Sequence, residues 1–319
     1  MIYIYSPVNA ITGGVELLQQ LGYKINSLGG KAKIIYVPTR FKRVLTYRYY
    51  KTPKIYEMYG MESDYKIEDL AINSVVIPET LFWKLSDIKN AKKYLWWLSV
   101  DFYFQTTEKF YTKMRMLGKR IDMKSQDITH LVQSKYAADW LEQQGVAKEN
   151  ILFLSDYLRN NYIEQVELEE KMIKKQQVLY NPKKGFEFTK KIISRTEYQC
   201  IPLEGYTPDE MASIMKESMV YIDFGNHPGK DRIPRESVIS GCCVITGKRG
   251  AAANDFDIPI NDEFKFEDAD ASIEDIVICI DRIMKNYGEY RKKYDNYRDM
   301  IRKEEDIFNN QVKKIFFTN

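Results

Sequence analysis

The chain has 319 residues, which is long enough for one large α/β domain or two domains of ordinary size. Apolar residues make up 44% of the sequence and aromatic residues 13%, a composition that can fill a core and excludes wholesale disorder. With 48 basic and 45 acidic residues the formal net charge is +3, which argues against nucleic-acid binding driven by bulk charge.

Cysteine and histidine are too scarce to suggest a metal centre. The cysteines lack zinc-ligand spacing, and two histidines exclude a His-rich site. We expect reduced, buried thiols in a cytosolic protein, because all four cysteines lie in apolar runs. The N-terminal sequence does not resemble a signal peptide, and the apolar runs fall short of the roughly 18 residues of a spanning helix. The four cysteines are Cys200, Cys242, Cys243 and Cys279.

The first half of the chain alternates short apolar runs with segments of helical spacing. The apolar runs predict buried strands, and the repeated strand–helix order predicts a parallel, doubly wound sheet. A glycine, Gly145, is suited to end the third predicted helix. The predicted strands are 2–5, 33–37, 74–77, 93–100 and 130–134, and the predicted helices are 15–29, 79–85 and 135–145.

The strongly charged stretch 155–176 interrupts this alternation, because it contains no strand pattern. We therefore predict a Rossmann-like domain over 1–155, a linker over 156–176 and a second Rossmann-like domain over 177–319. The fold class is α/β, with two doubly wound domains facing a cleft. After the linker the predicted strands are 177–180, 199–203, 220–224 and 242–246, and the predicted helices are 186–195 and 208–218.

The C-terminal region carries a tyrosine-rich stripe at helical spacing. Recurrence at three- and four-residue steps predicts one or two long helices, which we expect to pack back across the domain junction. The usual meaning of such a stripe is packing, and we prefer it to a ligand role. Its members are Ile280, Met284, Tyr287, Tyr290, Tyr294, Tyr297 and Ile301.

The stretch FGNHPGKDRIPRESVISGCCVITGKRG gathers cations between two predicted strands. A Gly- and Pro-rich loop leads into a short helix with Pro234 in its first turn, where a missing N–H costs nothing. Ligands of doubly wound sheets bind where strands end, and helix N-termini attract anions. Lys230, Arg232 and Arg235 add positive charges there, and guanidinium groups bind phosphate with paired hydrogen bonds. This pattern predicts a phosphate site.

Glu236, which we expect in the first turn of this helix, would repel a phosphate but can accept two hydrogen bonds from a ribose diol. Phosphates and a sugar diol together describe a nucleotide. His227 in the loop is expected to meet the ligand, and Lys248 in GKRG follows a strand at the same edge without P-loop spacing. The alternative is a solvated surface loop whose cations are neutralised by Asp231 and Glu236.

PRESVISGCCVITGKRG resembles the donor-site segment of GT-B glycosyltransferases. Glu236, Gly241 and Val244–Ile245 match the family's E-A-x-A-x-G-x-P-V-I pattern. The resemblance implies that Glu236 binds the ribose of a nucleotide sugar and that preceding basic residues hold the diphosphate. Upstream the chain departs from the pattern, because the position eight residues before the glutamate, acidic in many retaining members, is Pro228.

Two further segments resemble the same family. TGGVELL, with Gly13 and Gly14, is similar to the N-terminal glycine loop, where glycine lets a ligand approach the backbone, although turn geometry would equally explain the pair. YNPKKG stands where the family places a Lys–Gly pair near the donor phosphates, which here is Lys184 and Gly185. The resemblance therefore covers both predicted domains in the right order.

Residues 39–54 contain only basic charges, with tyrosines interleaved. This composition is typical either of a solvated loop or of a surface for anionic lipid or a lipid-diphosphate acceptor. Single-stranded nucleic acid would use similar chemistry, but we expect no nucleic-acid partner because the chain offers no recognised motif. The residues are Arg40, Lys42, Arg43, Arg48, Lys51 and Lys54, with Tyr47, Tyr49 and Tyr50.

Two other polar residues stand near predicted strand ends. Asp101 follows the strand 93–100 and either acts as general base on an acceptor hydroxyl or caps the next helix. His130 begins a predicted strand, and we expect a structural role for it.

The resemblance implies a glycosyltransferase that moves a sugar from a nucleotide-diphosphate donor to a glycan or lipid-linked saccharide, as in surface polysaccharide synthesis. Fixed cations and helix amides would stabilise the leaving diphosphate, so we expect transfer without a metal and with no cofactor beyond the donor. We expect a cytoplasmic location, peripheral on the inner membrane face through 39–54. The alternatives are a non-catalytic GT-B-like partner subunit and a sugar-nucleotide epimerase.

Overall fold

The structure is a computed structural model that describes residues 1–8, 10–38, 50–104, 121–159, 163–164 and 173–318. The chain divides into two compact units. Unit 1 consists of Met1–Asp156 together with Asp306–Asn319, and unit 2 consists of Tyr157–Glu305. Each unit contains one sheet whose strand pairs are all parallel. The α/β class with two parallel sheets is therefore confirmed.

Unit 1 is built on a seven-stranded sheet in the order β3-β2-β1-β4-β5-β6-β7. The strand order reverses between β1 and β4, which makes this gap the switch point of a doubly wound sheet. Residues along the central strands are almost all inaccessible to solvent, as expected for strands covered on both faces. The strands are β1 (Ile2–Pro7), β2 (Ala32–Val37), β3 (Ser63–Asp64), β4 (Ser74–Pro78), β5 (Lys92–Trp97), β6 (Ile128–Val132) and β7 (Ile151–Phe153).

The helices of unit 1 begin at side-chain caps. Thr12 accepts a hydrogen bond from the Val15 amide at the start of α1 (Gly13–Ser27), and Ser134 caps α2 (Lys135–Gln143) in the same way. The predicted helix at 79–85 is instead a 3₁₀-helix over Glu79–Asp87. Further 3₁₀ turns cover Lys54–Tyr59 and Lys148–Asn150. All four tryptophans of the chain, Trp83, Trp96, Trp97 and Trp140, belong to this unit.

Unit 2 has a five-stranded sheet in the order β12-β11-β10-β8-β9, with its switch point between β8 and β10. Its core joins the inner faces of these strands to the helices on both sides. The strands are β8 (Lys175–Tyr180), β9 (Gln199–Pro202), β10 (Ser218–Asp223), β11 (Cys243–Gly247) and β12 (Lys265–Phe266). The helices between them are α3 (Phe186–Ile193), α4 (Pro208–Glu217) and α5 (Arg232–Ile239).

The C-terminal region forms four helices where the sequence predicted one or two. The tyrosine stripe nevertheless packs as predicted, with the Tyr287 hydroxyl donating to the Gly241 carbonyl at 2.7 Å and the Tyr294 hydroxyl donating to the Val244 carbonyl at 2.8 Å. Periodicity could not show the breaks, because the buried face continues across them. The described helices include none that is long and apolar enough to cross a membrane. The four are α6 (Ile273–Lys285), α7 (Tyr287–Lys292), α8 (Asp295–Arg302) and α9 (Glu304–Phe316).

The predicted strands are all present, but the sequence missed three edge strands. These are β3, β7 and β12, and each is only two or three residues long. A period of two cannot be recognised over so few residues. All four cysteines are free thiols, and three of them are buried.

Candidate functional site

The switch point of unit 2 brings together charged residues from both sides of the gap. Lys184 follows β8, and its ammonium lies 3.3 Å from Oδ2 of Asp223, the last residue of β10. The same ammonium is paired with Asp231, the residue before α5. Oδ2 of Asp231 also lies 2.8 Å from Nδ1 of His227, which is fully buried. Lys184 and His227 therefore meet in one cluster with two acids. The prediction that His227 contacts the ligand was wrong, because its imidazole has no exposed surface and holds Asp231 instead.

Opposite charges stabilise the ionised forms in this cluster. Burial alone would lower the pKa of Lys184, but the charges of Asp223 and Asp231 raise it above its ordinary value. Burial would likewise raise the pKa of Asp231, yet the hydrogen bond from His227 and the charge of Lys184 hold it below its usual range. Asp223 accepts a further hydrogen bond from the buried Tyr221 hydroxyl at 2.7 Å. The ammonium is thus held ionised by fixed carboxylates.

Asp223, His227 and Asp231 offer ligand atoms within 4.8 Å of one another, a set that could hold a metal ion. The ammonium of Lys184 already pairs with both carboxylates of this set. A second cation there would face its repulsion at short range. The geometry therefore favours lysine as the resident cation, and metal-independent transfer stays a prediction.

Glycines lock the loops that follow β8, β10 and β11 against one another. Gly185 has a φ of +61°, and a Cβ there would stand 1.3 Å from the Phe224 carbonyl oxygen. Gly250 also has a φ of +61°, and a Cβ there would stand 2.1 Å from the His227 carbonyl oxygen, which accepts a hydrogen bond from the Ala251 amide. Only glycine permits these approaches. The three loops are therefore fixed at the backbone level.

Helix α5 begins at Arg232, so Pro234 lies in its first turn as predicted, but Glu236 lies in the second turn rather than the first. The position of Glu236 was predicted wrongly because a proline in the first turn does not show which residue begins the helix. A carboxylate oxygen of Glu236 lies 2.9 Å from Arg232 Nη2, with 14% of the Glu236 side chain and 29% of the Arg232 side chain exposed. The pair keeps some contact with solvent.

Lys230 and Arg235, both predicted to hold the diphosphate, are engaged elsewhere. Arg235 has no exposed surface, and its Nη1 lies 2.7 Å from Oε2 of Glu304. Lys230 Nζ lies 2.8 Å from Oε1 of the same carboxylate. Arg235 points into the interior of unit 2, so its guanidinium cannot contact a ligand in this conformation. The prediction that Arg235 holds the diphosphate was therefore wrong. Sequence reasoning missed Glu304 because no local pattern links it to a loop so distant along the chain.

The GKRG loop after β11 divides its charges between solvent and the protein. Lys248 is exposed at the end of the strand, as a ligand contact requires. Arg249 Nε lies 3.1 Å from Oδ2 of Asp268, and burial raises the pKa of Asp268 although Arg249 opposes this. A Cβ on Gly247 would stand 2.2 Å from Oδ1 of that aspartate. No sequence pattern indicates Asp268, which lies outside the GKRG loop.

Gly13 and Gly14 are the first two residues of α1, and neither has a positive φ. The alternative that turn geometry requires glycine here is therefore wrong. A Cβ on Gly14 would lie in ordinary contact, 3.5 Å from a methyl group of Leu98. Thr12, the residue before this helix, is held by the Tyr56 hydroxyl. The hydroxyl accepts a hydrogen bond from the Thr12 amide and donates one to the Thr12 carbonyl, both at 3.1 Å.

Asp101 lies in the first turn of a helix that begins at Val100. It does not cap that helix, because the Phe102 amide donates to the Ser99 hydroxyl at 3.1 Å instead. Asp101 is half-buried and hydrogen-bonded to Tyr136, whose pKa is raised by burial and by this carboxylate. The capping alternative is corrected, and the role as general base stays a prediction.

Glu79 is a buried acid that the sequence analysis missed, directly after β4 at the switch point of unit 1. Burial raises its pKa to about 8, although backbone amides of Leu98 and Ser99 donate to it and lower the value. The Leu98 amide lies 3.0 Å from Oε2. The sequence signal that could have identified Glu79 is its position directly after the apolar run SVVIP, where a buried strand ends.

His130 has the structural role that we expected. The Trp97 indole donates to its Nδ1 at 2.9 Å, so Nε2 carries the proton and donates to the Met123 carbonyl at 2.9 Å. Burial lowers the pKa of this imidazole, which keeps it neutral.

The basic segment 39–54 falls mostly outside the described residues. Of its cations, Arg40, Lys42, Arg43 and Arg48 lie there, as do Tyr47 and Tyr49. Lys51 and Lys54 are described, and both are exposed. The predicted linker 156–176 is also described only in part.

The fold of the chain is that of the GT-B glycosyltransferases, which solved structures match along nearly its whole length. HepE from Anabaena, solved with UDP-glucose, has a TM-score of 0.63 at 13% identity over 98% of both chains. Sucrose-phosphate synthase from Thermosynechococcus elongatus has a TM-score of 0.60 at 13% identity, covering 99% of this chain and 98% of its own. WaaG, a glycosyltransferase involved in lipopolysaccharide biosynthesis, has a TM-score of 0.58 at 9% identity over 100% of both chains. In sequence the chain matches no family model and no curated protein.

Proposed function

We propose that the chain is a glycosyltransferase that moves a sugar from a nucleotide-diphosphate donor to a glycan or lipid-linked saccharide acceptor. The observation that carries this proposal is the cluster of fixed charges at the switch point of unit 2, in a chain with the GT-B fold. HepE was solved with UDP-glucose, which supports a nucleotide sugar as the donor. Unit 1 would then bind the acceptor.

In this proposal Lys184 and Arg232 bind the diphosphate, and Glu236 binds the ribose. Lys184 is anchored by Asp223 and Asp231 but keeps 23% of its side chain exposed, so it can meet a ligand without leaving its partners. Arg232 and Glu236 form an ion pair with each other. When a nucleotide binds, Arg232 would pair with a phosphate and Glu236 would accept hydrogen bonds from the ribose diol, in place of pairing with each other.

Catalysis would depend on stabilising the departing diphosphate. The bond between the sugar's anomeric carbon and a diphosphate oxygen breaks, and the acceptor oxygen bonds to that carbon while its proton passes to a base. Lys184 counters the charge that develops on the leaving oxygen, and its raised pKa keeps it protonated at neutral pH. Asp101 is our candidate for the base.

Calorimetric titration with UDP, GDP and ADP tests the donor site. We expect Lys184→Met to weaken binding of the preferred nucleoside diphosphate by about 10- to 100-fold, the range of a charge-assisted hydrogen bond. Lys183→Met is the matched control, because Lys183 is exposed one residue away. Glu236→Gln should weaken binding by about tenfold. Equal affinities in wild type, Lys184→Met and Glu236→Gln would contradict the proposal.

Product analysis separates the proposed reaction from its alternatives. Incubation with a nucleotide sugar and saccharide acceptors should release the nucleoside diphosphate and extend the acceptor, also in the presence of a chelator. An altered free nucleotide sugar formed without acceptor would indicate an epimerase. Tight nucleotide binding without transfer to any acceptor would favour a non-catalytic subunit.

A lipid-linked acceptor would require contact with a membrane, and the region after the basic segment supports this part of the proposal. The 3₁₀-helix Lys54–Tyr59 leaves Ile55 52% and Met58 61% exposed, next to Lys51 and Lys54. Apolar side chains beside cations suit an anionic bilayer surface.

Vesicle sedimentation tests the membrane contact. We expect the chain to sediment with anionic vesicles but not with neutral phosphatidylcholine, and the double variant Ile55→Ser/Met58→Ser to lose most of this binding. Ile72→Ser is the control, because Ile72 is 84% exposed outside the basic region. Binding that is the same for all three proteins, or for both lipids, would contradict a membrane surface here.

A further inference from the structure

Glu304, the first residue of α9, bridges two cations with one carboxylate: Lys230, in the loop between β10 and α5, and Arg235, in α5. Its Oε1 lies 2.8 Å from Lys230 Nζ, and its Oε2 lies 2.7 Å from Arg235 Nη1. Only 7% of the Glu304 side chain is exposed. The carboxylate thus pairs with two of the three cations, Lys230 and Arg235, that the sequence pattern assigned to a diphosphate.

Arg235 connects Glu304 to the backbone of that loop. Its Nε donates to the Asp231 carbonyl at 3.2 Å, and its Nη2 lies 3.4 Å from the Lys230 carbonyl. These carbonyls belong to the two residues directly before α5, and the Asp231 side chain holds Lys184 and His227. A chain of direct contacts therefore runs from Glu304 through Arg235 to the charge cluster.

We infer that Glu304 is a positioning residue of the nucleotide-diphosphate site, which acts through Arg235 on the backbone of Lys230 and Asp231. The inference rests on the proposed function. A buried guanidinium is stable only with a charged partner, and removing one member of a buried pair leaves the other uncompensated. Without Glu304 the guanidinium must move toward solvent, and the loop that it holds must move with it. Asp231 would then no longer fix Lys184.

The test compares wild type with Glu304→Gln and with Asp306→Asn, an exposed acid two residues further along the same helix. Titration with the nucleoside diphosphate that binds wild type best gives the dissociation constant. Hydrogen exchange without nucleotide reports on the loop 225–232. For Glu304→Gln we expect about tenfold weaker binding and faster exchange confined to that loop. Asp306→Asn should match wild type in both measurements.

A double-mutant cycle distinguishes positioning from general stabilisation. Arg235→Met removes the charge that Glu304 compensates, so the double variant should bind nucleotide no more weakly than Arg235→Met alone. Additive losses would show that Glu304 does not act through Arg235 and would overturn the inference. Unchanged affinity in Glu304→Gln, or exchange that rises evenly through unit 2, would also overturn it.

The exchange measurement keeps this inference separate from the proposed function. If wild type binds none of the nucleotides, the proposed function fails. Local exchange in 225–232 then decides alone whether Glu304 fixes the loop, and unchanged exchange in Glu304→Gln would refute the positioning role as well.

Discussion

The switch points of the two sheets have the same topology but different chemistry. In unit 2, Lys184 after β8 meets Asp223 at the end of β10, and Asp231 and the imidazole of His227 complete the cluster. In unit 1, Glu79 after β4 is bound by the backbone amides of Leu98 and Ser99, and no cation pairs with it among the residues that the structure describes. Each arrangement places an acid at the gap where the strand order reverses.

The comparison shows how a fold supplies a place while side chains decide what binds there. Fixed ammonium and guanidinium groups suit an anionic donor, because they are held before the ligand arrives. In unit 1 the two hydrogen bonds between Tyr56 and Thr12 join neutral groups instead, and they fix the backbone before α1. If unit 1 binds the proposed acceptor, an uncharged saccharide hydroxyl would need orientation more than charge.

The largest effect should come from the loop lock in unit 2. Gly185→Ala places a methyl group against the Phe224 carbonyl and forces a positive φ, so we expect a loss of more than about 3 kcal/mol and a fall in melting temperature of about 10 °C. Gly205→Ala is the control, because Gly205 also has a positive φ but its Cβ would meet nothing within 4 Å. It should lose only about 1 kcal/mol in thermal unfolding. Equal losses would mean that the loops are not locked.

Glu79 should make unit 1 less stable as pH rises. Its pKa in the folded chain is about 8, above the ordinary 4.5, so its contribution is complete below about pH 4.5 and is lost as pH rises to about 8. The slope should be at most about 1.4 kcal/mol per pH unit. Glu79→Gln should flatten it. Denaturation followed by tryptophan fluorescence reports on this unit alone, and an equal slope in the variant would contradict the raised pKa.

Asp231 should give unit 2 the opposite trend. Its lowered pKa means that its contribution is present above the ordinary value of 3.8 and is lost as pH falls through the folded value. Asp231→Asn should therefore be less stable at neutral pH and lose less on acidification. Hydrogen exchange of amides in β8 and β10 between pH 3 and pH 7 measures this. A variant as acid-sensitive as wild type would show that Lys184 and His227 do not stabilise the carboxylate.

The smallest effect should come from the neutral contacts of unit 1. Tyr56→Phe removes the hydroxyl that binds both the amide and the carbonyl of Thr12, and we expect a loss of about 1 kcal/mol. Tryptophan fluorescence in urea measures it. Nucleotide affinity should not change, and a large loss of affinity would mean that the two switch points are coupled.

The sequence predicted the parts of the fold that have local signals. Every strand of four or more residues was recognised, because a short apolar run between turn residues is typical of a strand buried on both faces. Lys184 and Gly185 were placed by the resemblance of YNPKKG, the segment at the end of β8, to a family motif, and the loop of His227 was placed at the same sheet edge because it follows a predicted strand. Contacts between residues distant in sequence could not be foreseen. Arg235 shows this, since the side of α5 that is buried became evident only with Glu304 opposite it.

The boundary between the two units falls inside α9, because Glu304 and Glu305 belong to unit 2 while Asp306 and the residues after it belong to unit 1. Chimaeras that exchange the second unit between relatives must therefore carry the beginning of this helix with it. A fusion point placed in the preceding turn at Lys303 would give the transplanted loop a foreign residue opposite Lys230 and Arg235. Engineers should instead join the halves beyond Glu305.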